Sequence, residues 1–156
     1  MLRIMLGLYL ERGCDPNAIG IMGVPLLVET LGTLGKSRKD LQEEHCFGED
    51  QAAEWRDTCK EILSDIIDAG ADVNFIWQEN GGAMSMSQAA TYFRVYDIFC
   101  DALEECGYDL VLFKAEQERL EASLKGSQFD RNATSIDARV LAPPDASGLR
   151  RRRIAS

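Results

Sequence analysis

The sequence predicts an all-α chain of paired helices separated by glycine turns. Two observations carry that reading. An apolar helical end followed by glycine, and by aspartate two residues later, occurs at Leu8–Asn17, Asp65–Asn74 and Ala102–Val111. A second block that reads as a helix start follows the first two glycines, at Gly23-Val24-Pro25-Leu26-Leu27 and at Gly82 to Ala90.

The punctuation has a physical basis. A helix ends where one residue turns into the left-handed region, which glycine enters without a Cβ penalty. The aspartate behind it favours a turn by accepting hydrogen bonds from nearby backbone. Gly13, Gly70 and Gly107 are therefore read as helix stops, with Asp15, Asp72 and Asp109 shaping the turns. Pro25 stands at a helix start, where its missing N–H costs nothing. Ala89-Ala90 is small enough to let neighbouring helices approach closely.

In order, these signals predict helix 2–12, a turn and finger over 13–23, helix 25–34 and an acidic loop to about residue 50. Helix 51–69, finger 70–83, helices 85–93 and 95–106, and an apolar end at Leu110–Phe113 follow. Residues 114–126 read as an exposed closing helix, with Leu120 and Leu124 one turn apart among charges. From Gly126 the chain turns polar, with Pro143-Pro144 and Arg150–Arg153, so 127–156 is expected to be a disordered basic tail.

The repeated residues together resemble the ankyrin repeat, whose hallmark is a G-x-T-P-L-H-x-A-A helix start and a second helix ending L-L-L-x-x-G-A-D-V-N. Ile66-Ile67-Asp68-Ala69-Gly70-Ala71-Asp72-Val73-Asn74 matches the second half closely, and Leu8–Asn17 nearly as well. The resemblance covers residues 1–113. It departs from the pattern at Ser85 for proline, Met84 for threonine, Leu27 and Ser87 for histidine, and Glu104 for the third leucine. Gly70 and Gly107 lie 37 residues apart, near the repeat length of about 33. Gly13 and Gly70 lie 57 apart, so a long acidic insertion is expected at about 35–50.

The resemblance implies stacked helix pairs with finger loops and a protein-interaction or scaffold function. The partner surface would be concave, made from the fingers and first helices. Phe75, Ile76, Trp77 and Gln78 fall in the second finger, with Gln88 and Tyr92 on the adjoining helix. Trp77 is the expected anchor, since exposed aromatics rimmed by polar groups dominate interface energies; burial in the core is the competing reading. The chain opens inside a second helix, leaving Leu2, Ile4 and Leu6 without a partner helix. Self-association or missing N-terminal repeats would cover them. The alternative reading is a structural fragment of a longer array.

Charge and composition narrow the function classes. The chain has 17 Lys and Arg against 26 Asp and Glu, a net −9. Between Asp40 and Asp72, eleven acidic residues face only Arg56 and Lys60, which disfavours nucleic acid as a ligand. No apolar run approaches the ~20 residues of a membrane span. Five irregularly spaced cysteines, with no C-x-x-C pair and a single His45, predict neither structural zinc nor a disulfide framework. Free thiols suit a reducing compartment, cytoplasmic or nuclear.

No constellation predicts an enzyme or a cofactor. Asp68, Asp72, Asn74 and Glu79 mimic a calcium loop but place Gly70 and Val73 where a ligand and a glycine are required. Gly32 to Ser37 mimics a phosphate loop but has Thr30 at its first glycine position. A thiol nucleophile at Cys59, beside Cys46 and His45, lacks any family signature. Cys59 instead keeps helical register with Trp55, Ile62 and Leu63, the pattern of a core residue.

Overall fold

The computed structural model describes the backbone of residues 2–21, 23–43, 48–79 and 82–141, and their side chains except at 2–5, 79 and 127–141. Helix α1 spans Leu2–Glu11, α2 Leu26–Glu43, α3 Glu49–Asp68, α4 Met86–Tyr92, α5 Tyr96–Glu105 and α6 Leu110–Leu141. A two-stranded antiparallel hairpin, β1 (Trp77–Glu79) and β2 (Gly82–Met84), lies between α3 and α4 in the chain. Described residues are thus mostly helical, and the chain divides into units 1–118 and 119–156.

Three helix ends are built alike. Gly13, Gly70 and Gly107 have φ of 75°, 98° and 86°. At each, the glycine N–H donates to the carbonyl three residues back, and the following N–H donates to the carbonyl five back: Gly70 to Ile67 at 2.9 Å and Ala71 to Ile66 at 3.3 Å. That pairing satisfies carbonyls which a helix end otherwise leaves orphaned. The aspartates repeat as well. Asp15, Asp72 and Asp109 each accept from the backbone N–H two residues on, at 2.9, 2.9 and 2.8 Å.

The first two turns are tied to each other. Asn17 donates from its amide to Gly70 O at 2.9 Å and accepts from Asp72 N at 2.6 Å. One turn further on, Asn74 accepts from Gln117 Nε2 at 2.9 Å, while Gln117 Oε1 accepts from Ser87 N at 3.0 Å. Gln117 is buried, and these two bonds offset the desolvation of its amide.

Within residues 1–118 the helices form two rows. α3 packs against α1 and α5, and α2 packs against α4 and also against α3. Helical spacing explains which faces meet. Leu27, Leu31 and Leu34 line one side of α2, and Cys59, Ile62, Leu63, Ile66 and Ile67 one side of α3. Ile98, Phe99, Ala102 and Leu103 do so on α5, and Phe113 of α6 closes on Phe99 at 5.9 Å between ring centroids. Each large apolar side chain buried this way contributes ~1.5–3 kcal/mol.

Ser85 caps α4: its hydroxyl accepts from Gln88 N at 3.1 Å, and Gln88 Oε1 accepts from Ser85 N at 3.2 Å. The serine at the proline position therefore starts the helix by a reciprocal cap. The first finger is smaller than the second. Among the described residues it shows one antiparallel bridge, Ile19 to Pro25, before α2 begins at Leu26.

Three expectations are corrected. The acidic insertion at 35–50 is not a loop as far as Glu43, because α2 continues through Gly35. Lys36 to Glu43 are mostly good helix formers, and Gly35, just past the expected end of the helix, serves packing instead. Glu49 and Asp50 form the first turn of α3, where acidic side chains complement the positive end of the helix. The boundary drawn at 113 and 114 falls inside α6, and residues 127–141 continue that helix rather than forming a disordered tail. A lone Gly126 costs a helix only ~1 kcal/mol, and the first proline beyond it is Pro143. Arg150–Arg153, like His45 and Cys46, lies outside the described residues.

Candidate functional site

The finger expected to bind a partner is only partly open. Trp77 is buried, at 8% exposure, and stacks on Phe93 with ring centroids 5.5 Å apart and planes at 26°. The anchor role assigned to it is therefore corrected: a β-hairpin alternates sides, and Trp77 falls on the side facing α4. Phe75 and Ile76 are half-buried, Gln78 is exposed, and Gln88 is committed to the cap of α4. Tyr92 is exposed at 64% and meets Trp77 edge-on at 6.3 Å. Of the named surface residues, Tyr92 and Gln78 face solvent most fully.

Tyr92 opens onto a groove the sequence reading missed. It has a volume of about 770 Å³ and runs between α2 and the turn joining α4 to α5. Lys36, Arg38, Lys39 and Gln42 line one wall, and Tyr92, Phe93 and Arg94 the other. Gly32 and Gly35 form its floor, where the walls touch. A Cβ at Gly35 would stand 2.4 Å from Phe93 O, so only glycine admits this approach.

The turn in the groove wall repeats the glycine turns without a glycine. Arg94 has φ 60°. Arg94 N donates to Thr91 O at 3.0 Å, and Val95 N to Ala90 O at 2.9 Å, the same pairing as at Gly70. A left-handed non-glycine residue costs roughly 1–2 kcal/mol. The turn is held by Arg38, whose Nη1 donates to Arg94 O at 2.7 Å.

Arg38 also anchors a charge network beneath the groove. It forks onto Asp97 at 2.8 and 3.2 Å, and Arg56 bridges Asp97 at 2.6 Å and Asp101 at 2.7 Å. Trp55 Nε1 donates to Ser37 Oγ at 3.0 Å alongside. Burial alone would raise the Asp97 pKa, but hydrogen bonds from Arg38 and Arg56 outweigh it and hold the carboxyl at about 2. The ordinary aspartate value is higher, so the network stabilises the fold fully above pH ~4 and loses that contribution as pH falls towards about 2. At 42% exposure, solvent screening holds this to about 1 kcal/mol or less. Acid titration of Asp97→Asn should show a flatter stability profile below pH ~4 than the parent; parallel profiles would overturn the assignment.

Three thiols, those of Cys59, Cys100 and Cys106, are pushed up by burial. Burial pushes the Cys59 thiol up to about 11, with Arg38 opposing, and the residue is in the core as its register indicated. Burial, then the neighbouring Asp68, pushes Cys106 up to about 11, and burial raises Cys100. Protonated thiols at neutral pH are poor nucleophiles.

At the chain's other end Leu6 packs against the core, Leu8 and Tyr9 are exposed, and the side chains of Leu2 and Ile4 lie outside the described residues. Asp72, one of the calcium-loop mimics, directs its carboxylate to Asn74 N. No group of three or more His, Cys, Asp or Glu among the described residues is arranged to hold a metal. No helix among them is long and apolar enough to cross a membrane. No protein-family model, curated protein or solved structure matches the chain.

Proposed function

We propose that the chain is a protein-interaction module of ankyrin-like helix pairs, holding its partner on the first helices α2 and α4 rather than on the finger tip. The ankyrin reading is supported by three equivalent glycine turns, each with its aspartate, and by the Asn17 bridge between the first two. The two helix rows add to that support. The single observation that carries the functional reading is Tyr92, exposed over a groove whose opposite wall is the face of α2.

An aromatic ring backed by two buried or half-buried rings is pre-ordered, so little side-chain freedom is lost when a partner covers it. Tyr92→Ala should therefore weaken partner binding by ~1–2 kcal/mol, roughly fivefold to thirtyfold. Proteins captured from a cell extract on the immobilised parent chain should be lost or depleted on Tyr92→Ala at an unchanged melting temperature. Identical capture by both chains would sink the proposed surface.

A further inference from the structure

The groove has a charge opposite to that of the chain around it. Among the described residues, its walls carry four cations, Lys36, Arg38, Lys39 and Arg94, and no carboxylate, in a protein of net charge −9. Arg38 is neutralised by Asp97, and Lys39 meets Glu43 at 3.7 Å in a solvent-exposed pair. Among the described residues, no ion pair engages Lys36 or Arg94. A strained turn places Arg94 where glycine would sit without cost, and backbone strain of this kind clusters at functional positions.

Given the interaction reading above, we infer that the groove takes an acidic linear segment of a partner protein, its carboxylates on Lys36, Lys39 and Arg94 and an apolar side chain against Tyr92 and Phe93. A guanidinium pairs with a carboxylate through two parallel hydrogen bonds, which fixes the direction of approach. The volume of about 770 Å³ suits a few side chains rather than a folded surface. A nucleic acid is disfavoured, because a long polyanion would also meet Asp40 and Glu43, which flank the cations on α2, in a chain of net charge −9.

The probe is a displayed library of random linear peptides, selected on the immobilised full chain. Selected sequences should be enriched in Asp and Glu beside Leu, Phe or Tyr, and their binding should weaken as salt rises. Arg94→Gly should lose about tenfold in affinity for a selected peptide while melting at or above the parent temperature, since glycine relieves the left-handed strain. Lys36→Ala should lose about threefold. A role in shaping the turn alone predicts unchanged binding by Arg94→Gly, and that result overturns the inference. So do selections without acidic enrichment, or a single-stranded oligonucleotide that binds as tightly as the peptide. Peptides that depend on Tyr92 but are indifferent to the cations sink the acidic ligand and leave the interaction surface standing. Binding indifferent to Tyr92 as well removes both.

Discussion

Trp77→Ala should lower the unfolding free energy by ~3–5 kcal/mol, the usual loss when a buried tryptophan is truncated. Trp77 joins three elements. Its strand pairs with β2 through Met84, its ring lies on Phe93 at 5.5 Å, and its edge meets Tyr92 at 6.3 Å. Removing it leaves a void between hairpin and α4 that Phe93 fills only by leaving Gly32, whose Cβ position is 3.4 Å from the Phe93 ring. Urea denaturation gives the number directly, and partner binding should fall only as far as the folded fraction does. A Trp77→Ala chain that melts like the parent but loses its partner would return the anchor role to the finger.

Gly35→Ala should destabilise by ~1–3 kcal/mol, although alanine in a helix interior ordinarily gains about 1 kcal/mol over glycine. The reversal of sign comes from one contact. The new methyl would stand 2.4 Å from Phe93 O and 3.0 Å from Phe93 Cβ, and backbone cannot swing aside as a flexible side chain does. Either α2 lifts from the α4–α5 turn or the 2.7 Å bond from Arg38 to Arg94 O lengthens. Gly32→Ala is the control: its methyl meets only the Phe93 ring, at ordinary contact distance, so it should be neutral or stabilising. Equal melting shifts for the two variants would show that the helix approach is looser than described.

The helix ends at Glu11, Asp68 and Glu105 were legible in the sequence because the forces that end a helix are local. Gly-x-Asp supplies the left-handed residue and the turn acceptor within three positions. The helix stop before Arg94 follows the same geometry with arginine in the left-handed position; the boundary at 93 was legible, but the strained residue behind it was not. Gly35 misled the reading of α2, which continues through it. A glycine in helical register signals either a stop or a close approach, and the partner that decides between them, Phe93, lies almost sixty residues away. Trp77 was ambiguous for a similar reason, since exposure depends on which side of a two-residue alternation faces the body of the fold. The groove itself could not be read in advance. Its walls, Lys36 to Gln42 and Tyr92 to Arg94, become neighbours only after α2 and α4 have packed.

The Asn17 bridge bears on the order in which the chain assembles. Helices α2 and α3, and α4 and α5, meet partners a short loop away, and such contacts close quickly because little chain must be ordered first. Asn17 reaches Gly70 and Asp72 across 53 and 55 residues, so its bonds close a much longer stretch of chain. Closing that distance costs more chain entropy than pairing neighbouring helices, so these two bonds are expected to form late. Because one amide supplies both bonds, they are made and lost together.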